Sequence, residues 1–215
     1  MALGAADPGD VFATLGVSKF VTALEGRESV VVLDLGPAVG ANVMFLGGRL
    51  GCKLHVQDVL SDPETWWTDE EKQQHFGSPD GNDSIEVARK SLGERQLNNL
   101  TNSVDGVLCW DVFDYLSDES AESFASEVVR VLKPGGVTLL CHGAEIRTPS
   151  KPMRYEIVDE MRLRYRPLAT ERPTRRVWHS RAFVDLFDGL AVSNSFLLTT
   201  RMREVVLRKP LPRPA

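Results

Sequence analysis

The sequence has few of the residues from which a metal centre or a disulfide framework is built. Its three cysteines, Cys52, Cys109 and Cys141, are odd in number, lie far apart and include no C-x-x-C pair. That pattern excludes a disulfide framework and a zinc knot. The four histidines and the acidic residues show no metal-ligand spacing, so no metal site is predicted. Because the thiols suit packing as small hydrophobes, a reducing, cytoplasmic compartment is expected.

Long apolar runs and targeting signals are also missing. No apolar stretch approaches the roughly 20 residues that a membrane helix needs, so no membrane partner is expected. The N-terminal MALGAADPGDVF has no basic segment followed by an apolar one, which predicts that there is no signal peptide. The chain has 215 residues, of which 42% are apolar and 26% charged. This composition favours one globular domain with a real core.

The charge is distributed unevenly along the chain. Residues 1–150 contain 11 Lys and Arg against 23 Asp and Glu, whereas residues 151–215 contain 14 against 7. Such asymmetry either marks a surface for an anionic partner or is neutralised by pairing within one fold. Residues 151–181 hold nine Lys and Arg without the interleaved aromatics of a nucleic-acid platform. An anionic small molecule is therefore the expected partner of this stretch, and a nucleic acid is not.

Hydrophobic periodicity predicts an alternation of strands and helices. Strands are predicted at 30–35, 53–59, 104–112, 137–141, 191–198 and 203–208. Helices are predicted at 11–24, 40–50, 119–132, 154–165 and 180–187, with Gly51 as a stop and Ser117 or Asp118, and Ser180, as caps. The alternation implies parallel strands with right-handed crossovers, and the last two strands imply a hairpin. The predicted fold class is α/β, a doubly wound, mostly parallel sheet with a C-terminal antiparallel hairpin.

The chain is predicted to be a single domain over residues 1–215, with three parts that depart from this alternation. Residues 1–27 are expected to form an N-terminal helical segment. Residues 60–103 are polar and are predicted to be an irregular or helical insertion, in which 97–100 is the only candidate strand. Residues 210–215 contain three prolines in six residues and are expected to be a frayed tail.

The first turn of the predicted sheet has the composition of a cofactor loop. The run VVLDLGPAVG places Asp34 at the end of a buried strand and follows it with Gly36 and Gly40. A strand that passes directly into a helix presents free backbone N–H groups and the positive end of the helix dipole, and glycine lets a ligand approach. A dinucleotide loop requires G-x-G-x-x-G, but this run has glycine only at the first of those three positions. The loop therefore disfavours NAD and FAD.

The spacing Asp34-x-Gly36-x-Ala38-x-Gly40 resembles the D-x-G-x-G-x-G loop of class I S-adenosylmethionine-dependent methyltransferases, with Ala38 in place of the middle glycine. Asp58 ends the second predicted strand, 24 residues after Asp34, where that family carries an acid for the ribose hydroxyls. The stretches VDGVLCWDVFDYLSDE and VVRVLKPGGVTLL resemble the family's fourth strand with its active-site loop, and its helix, turn and fifth strand. The resemblance covers roughly residues 28–142 and implies a Rossmann-like methyltransferase fold with S-adenosylmethionine as cofactor.

Two features of the family are absent from the pattern. The acid that follows the family's third strand and touches the adenine amino group has no counterpart in ERQLNNLTNS, where Asn98 or Asn99 is the candidate substitute. An amide can pair with an adenine edge, which makes that substitution chemically sound. The N-P-P-Y tetrapeptide of amino-group methylases is also missing, so an adenine or cytosine N-methylase is not predicted.

The resemblance implies a cofactor site made of Asp34, Gly36, Ala38, Gly40, Asp58, Trp110 and Asp111. Asp34 either contacts the cofactor or holds the loop amides. Trp110 and Asp111 border the methyl group, although a tryptophan at this position also suits the core. The catalytic candidates are Asp111, Tyr115 and His142. Tyr115 either covers the acceptor or packs at the start of a helix, and His142 is either a base or a structural or solvent-bound residue.

The predicted function is S-adenosylmethionine-dependent methyl transfer to a small-molecule acceptor that the sequence does not identify. Because the donor methyl group is already activated, the protein has to hold the acceptor in line with it, and it needs a base only when the acceptor keeps its proton at neutral pH. Two alternatives stay open. One is a methyltransferase-like interaction module without catalysis, and the other, less favoured, is a nucleotide-binding oxidoreductase.

Overall fold

The computed structural model describes residues 11–59, 97–116, 118–144, 153–167 and 177–212. Within these residues a six-stranded sheet forms the centre of the fold, in the order β3-β2-β4-β5-β9-β8. Its strands are β2 (Val31–Asp34), β3 (Lys53–Val56), β4 (Val104–Trp110), β5 (Leu132–Gly143), β8 (Ala191–Leu197) and β9 (Met202–Arg208). The first four strands in that order are parallel, and β9 is antiparallel to both β5 and β8. The predicted parallel sheet with a C-terminal hairpin is confirmed.

Helices pack on both faces of this sheet. They are α1 (Gly16–Leu24), α2 (Gly40–Leu50), α3 (Asp118–Val131) and the short α4 (Ser180–Asp185). Side chains of α1 and α2 share one apolar cluster with β4 and β5, whereas those of α3 and α4 belong to a second cluster. The fold is therefore doubly wound, with the carboxyl ends of β2 to β5 at one edge.

A second, three-stranded antiparallel sheet covers the face that carries α1 and α2. Its order is β1 (Val11–Ala13), β7 (Arg162–Pro167) and β6 (Met153–Asp159). Tyr155 and Leu163 belong to the same buried cluster as α1 and α2. The prediction of a helix over 154–165 is therefore wrong, and the helix predicted to begin at residue 11 begins at Gly16 because β1 precedes it.

Alternation of side chains explains why β6 and β7 form a hairpin. Tyr155 and Ile157 on β6, and Leu163 and Tyr165 on β7, are buried, and the residues between them are more exposed. This period of two is the pattern of a half-buried strand and not of a helix. At the turn, the Asp159 carboxylate accepts the Met161 amide at 2.9 Å, which satisfies one backbone donor where the ladder ends.

The arginines of this hairpin are paired with carboxylates of the same hairpin. Glu156 binds Arg164 at 2.6 Å and Arg166 at 3.3 Å, and Asp159 binds Arg162 at 2.6 Å. The basic stretch was expected either to bind an anionic partner or to pair within the fold. Arg162, Arg164 and Arg166 pair within the fold. Arg175 and Arg176 lie outside the described residues.

Several predicted boundaries shift. The strand predicted at 53–59 ends at Val56, and the strand predicted at 104–112 ends at Trp110. The strand predicted at 137–141 begins at Leu132, because the Pro-Gly-Gly turn forms a bulge whose backbone pairs with Lys209. Residues 97–100 form bends and no strand. His179 precedes α4 as its N-cap, so Ser180 is the first helical residue.

Other boundaries are confirmed or cannot be compared. The helix predicted at 40–50 has these bounds, and Gly51 ends it with a left-handed φ of 58°, a conformation that glycine adopts without strain. The helix predicted at 119–132 spans Asp118–Val131, so Asp118 is its first residue and not its cap. Ser117, residues 60–96 of the predicted insertion, and residues 213–215 of the predicted frayed tail lie outside the described part of the chain.

A buried glutamate on β9 caps α1. One carboxylate oxygen of Glu204 accepts the backbone N–H groups of Leu15 and Gly16 at 2.9 and 2.7 Å, and the other accepts the Thr14 hydroxyl at 2.5 Å. A negative charge at this end of a helix meets free amides and the positive end of the dipole. The Glu204 carboxylate therefore fixes the start of α1 against β9.

Replacing Glu204 with Gln should destabilise the fold, because an amide group cannot accept with both of its heavy atoms. Loss of charge-assisted bonds in a buried site predicts a reduction of about 1.5–3 kcal/mol in the free energy of unfolding. Glu119→Gln is the matched control, since Glu119 is an exposed acid in the first turn of α3 and should cost less than about 1 kcal/mol. Equal urea midpoints for the two variants would contradict this account.

Candidate functional site

The candidate site lies where β2, β3 and β4 end and α2 begins. Asp34 is the last residue of β2, and residues 35–39 lead directly into α2 at Gly40. This edge of a parallel sheet is where ligands bind in doubly wound folds, because strand ends and a helix N-terminus meet there. The loop that sequence spacing singled out is thus placed at the switch between strand and helix.

Asp34 is buried and receives hydrogen bonds from two segments. Its Oδ1 atom accepts the Gly36 amide at 3.0 Å and the Trp110 indole N–H at 2.7 Å. Burial raises the pKa of Asp34 to about 6 and the charge of Asp58 adds to this rise, whereas the nearby Trp110, Gly36 and Asn42 oppose it. Asp34 therefore holds the Gly36 amide of the loop, which agrees with one of the two roles considered for it.

Trp110 lies against the first glycine of the loop. A Cβ atom placed on Gly36 would be 2.6 Å from Trp110 Cδ1, so no larger residue fits at position 36 unless the indole moves. Trp110 has a φ of +48°, and the pairing of β4 with β5 shifts register between Leu108 and Trp110. This strained backbone conformation belongs to a residue whose indole reaches the Asp34 carboxylate.

Two side chains that the sequence analysis did not single out complete this arrangement. Tyr155 of β6 stacks on Trp110, with ring centroids 5.1 Å apart and planes 5° from parallel. Asn42, in the first turn of α2, donates to the Tyr155 carbonyl at 3.0 Å and accepts the Ile157 amide at 2.7 Å. The sequence contains a signal for Asn42, because a polar residue four positions before Leu46 lies on the buried face of the predicted helix.

The outer half of the loop is open. Ala38 and Gly40 are exposed, and a Cβ atom placed on Gly40 would meet nothing within 4 Å. Asp58 follows β3, is half-buried, and lies near enough to Asp34 for its charge to raise the pKa of that carboxyl. Asp58 and the exposed N-terminus of α2 thus border the open part of the loop, whereas Trp110 packs against Gly36 and the buried Asp34.

A concave region of about 300 Å³ lies beside β3 and is lined by Leu33, His55, Val56, Gln57, Asn98 and Asn99. The Asn98 backbone N–H donates to the Gln57 side-chain carbonyl at 3.3 Å, and the Asn99 side-chain nitrogen lies 3.1 Å from His55 Nδ1. Both asparagines considered as adenine contacts therefore lie on the wall of a cleft next to the strand that precedes Asp58.

The three catalytic candidates are buried at the ends of β4 and β5. The Tyr115 hydroxyl lies 3.5 Å from Asp111 Oδ2, so the structure brings these two together. The His142 ring packs on Phe183 of α4, with centroids 4.5 Å apart. Asp114, which the sequence analysis did not consider, is also buried and accepts the Gly143 amide at 2.9 Å.

In the part of the chain that the structure describes, no group of three or more His, Cys, Asp and Glu side chains is arranged to hold a metal ion. No helix there is long and apolar enough to cross a membrane.

Residues 32–136 match a family model described as a methyltransferase domain. Among curated proteins, none matches the chain significantly in sequence. The matched segment begins in β2 and ends in β5, so it contains the loop, Asp58 and Trp110.

Solved structures share the fold. The Burkholderia thailandensis 1,6-didemethyltoxoflavin-N1-methyltransferase, with bound 1,6-didemethyltoxoflavin and S-adenosylhomocysteine, is 16% identical with a TM-score of 0.52, over 90% of this chain and 76% of that one. A SAM dependent methyltransferase from Aquifex aeolicus is 18% identical with a TM-score of 0.51, over 91% and 90%. The [4+2]-cyclase SpnF is 11% identical with a TM-score of 0.53, over 91% and 80%. The predicted Rossmann-like methyltransferase fold is confirmed.

Replacing Asp34 with Asn should change how stability depends on pH. The folded pKa of about 6 lies above the ordinary value of 3.8, so the stabilisation from protonating Asp34 is complete below about 3.8 and is lost as pH rises through about 6. The asparagine amide keeps one oxygen as an acceptor and never carries the charge. Relative to wild type, Asp34→Asn should therefore gain on the order of 2 kcal/mol between about pH 4.5 and pH 7.5.

Urea unfolding at several pH values measures this difference. Asp185→Asn serves as the control, because Asp185 is an exposed acid on α4 and its difference from wild type should stay nearly constant with pH. If the Asp34→Asn difference were equally constant, the buried charge would not be the cause.

Proposed function

We propose that the chain is a class I S-adenosylmethionine-dependent methyltransferase, and that it transfers the methyl group of S-adenosylmethionine to a small-molecule acceptor. The observation that carries this proposal is the position of the family match. Residues 32–136 include the whole cofactor loop, the acid after β3 and the end of β4. The small molecule bound to the Burkholderia thailandensis enzyme supports the acceptor class.

The open side of the loop fits the proposed cofactor. Gly40 has free space where a side chain would stand, and Ala38 beside it is exposed. We assign the ribose hydroxyls to Asp58, because a half-buried carboxylate can accept from both of them. The amides at the start of α2 would face the anionic end of the ligand. Gly36 has a different role, since it makes room for the Trp110 indole.

S-adenosylmethionine supplies a methyl group that is already activated. The chain's contribution is to position the acceptor and to exclude water, for which the buried ends of β4 and β5 are suited. If the acceptor keeps its proton at neutral pH, Asp111 is the residue that we propose as base, because Tyr115 orients its carboxylate. His142 packs on Phe183, which favours the packing role that was considered for it.

The charge of the hairpin gives little support to an anionic acceptor. Arg162, Arg164 and Arg166 pair with two carboxylates of the same hairpin, so two of their three positive charges are balanced locally. The acceptor is therefore proposed as a small molecule on the strength of the fold and the family, and its recognition is assigned to residues near Asp111.

A second candidate function is an interaction module that has lost catalysis. Trp110 fills one side of the cofactor loop, and Asp111 is fully buried, which together favour a closed site. The [4+2]-cyclase SpnF also shows that this fold occurs in a protein named for a different activity. An oxidoreductase has less support, because the loop lacks the G-x-G-x-x-G pattern.

Titration calorimetry with S-adenosylhomocysteine and NADH separates these functions, and Asp58→Ala locates the site. Wild type should bind S-adenosylhomocysteine with a dissociation constant in the micromolar range, about −8 kcal/mol, and should not bind NADH. Asp58→Ala should weaken S-adenosylhomocysteine roughly ten- to a hundredfold through loss of charge-assisted bonds, and Asp58→Asn should weaken it less.

The control is Asp185→Ala, because that exposed acid lies on α4 and its loss should leave the affinity unchanged. Tight binding of NADH without any response to S-adenosylhomocysteine would overturn the proposed function. Unchanged affinity in Asp58→Ala would instead refute only the ribose assignment.

A further inference from the structure

We infer that the β6–β7 hairpin is an integral part of the cofactor site, and that Asn42 and Tyr155 are positioning residues through which the hairpin and the cofactor loop stabilise each other. The inference rests on the proposed function, because it concerns the same loop. It assigns a role in cofactor affinity to a segment outside residues 32–136, which are those that match the family.

The first connection runs through Asn42. Its side chain pairs with the backbone of β6 much as a neighbouring strand would, donating to the Tyr155 carbonyl and accepting the Ile157 amide. Asn42 is 1% exposed, so water does not compete for these two bonds. Asn42 also lies near enough to Asp34 to oppose the rise in the pKa of that carboxyl. One side chain thus joins the start of α2 to the hairpin, beside the buried carboxylate at the end of β2.

The second connection runs through Trp110. One part of the indole lies against Gly36 and donates to Asp34, while its face stacks on the Tyr155 ring. Trp110 and Tyr155 are 2% and 3% exposed. Displacement of the hairpin would expose the indole face and remove the support of the group that fixes Gly36. The loop geometry therefore depends on Tyr155 although that residue lies on another sheet.

Both connections end on the same loop, which sets a thermodynamic requirement. If the hairpin stabilises the loop conformation that binds cofactor, then bound cofactor must stabilise the hairpin by the same factor. The amide of Ile157 is a suitable reporter, because its acceptor is the Asn42 side chain and its exchange with solvent requires that bond to open.

Hydrogen exchange of the full chain, with and without saturating S-adenosylhomocysteine, tests this requirement. Ligand should slow exchange in residues 36–43 and also in 153–159, with a reduction of about two- to tenfold at Ile157 for coupling of the usual size. Residues 191–197 of β8 are the internal control, since that edge strand lies at the far end of the main sheet and should not change.

A matched pair of variants tests the same connection by affinity. Tyr155→Leu removes the ring that stacks on Trp110, whereas Phe12→Leu removes a ring that stacks on Tyr165 in the same small sheet, at 4.8 Å. Loss of the aromatic pair should weaken S-adenosylhomocysteine about two- to tenfold in Tyr155→Leu, and Phe12→Leu should bind as wild type does. Equal affinities in both variants would overturn the inference.

The failure of the inference is distinguishable from the failure of the proposed function. Protection of residues 36–43 by S-adenosylhomocysteine without any change at 153–159 would refute the coupling and leave the methyltransferase proposal intact. If S-adenosylhomocysteine does not bind at all, the proposed function is overturned and the inference with it. Should Tyr155→Leu fail to fold, the exchange measurement on the wild-type chain still decides the question.

Discussion

A carboxylate buried at the end of β2 is the constraint on which the site depends. Asp34 is 1% exposed, and a charge in that position is unfavourable unless several donors surround it. The donors come from the loop and from the end of β4. The loop and a tryptophan that is 76 positions away in the sequence are therefore held in one geometry by the need to satisfy a single side chain.

This constraint explains why Trp110 keeps an energetically unfavourable backbone conformation. Trp110 adopts a positive φ, a conformation that costs of order 1 kcal/mol or more in a residue with a side chain. In return its indole N–H reaches Asp34 and its edge covers Gly36. Gly36 is consequently fixed by a neighbouring ring as much as by the turn it makes, whereas Gly40 remains open to a ligand. The two glycines of the loop have different physical reasons for being glycine.

Sequence reasoning succeeded where the signal is local. The run that forms β2 is apolar and β-branched, Gly40 to Leu50 has helical spacing, and Gly51 supplies a left-handed stop, so the strand, loop and helix followed from neighbouring residues. The spacing of Asp34, Gly36 and Gly40 could also be recognised without any information on the tertiary structure. The position of the loop at the strand edge followed from the general topology of parallel sheets.

The hairpin and its connections to the loop were missed for different reasons. Tyr155 and Ile157 alternate with Arg154 and Glu156, but this stretch also suits an amphipathic helix. Only the pairing of β6 with β7, and of β7 with β1, decides between the two. Asn42 forms hydrogen bonds with residues 113 and 115 positions further along the chain, which no local pattern encodes. The contact of Trp110 with Gly36 depends on a register shift in β4, which spacing does not reveal.

A crystal structure of the complex with S-adenosylhomocysteine would test the central claim most directly. The account predicts that Trp110 Nε1 stays hydrogen-bonded to Asp34 and that the Trp110 ring stays stacked on Tyr155, while the ligand lies along Ala38 and Gly40 with its ribose on Asp58. The account would be contradicted by a ligand that takes the place of the indole beside Gly36, with Trp110 turned away from Asp34 and the hairpin displaced.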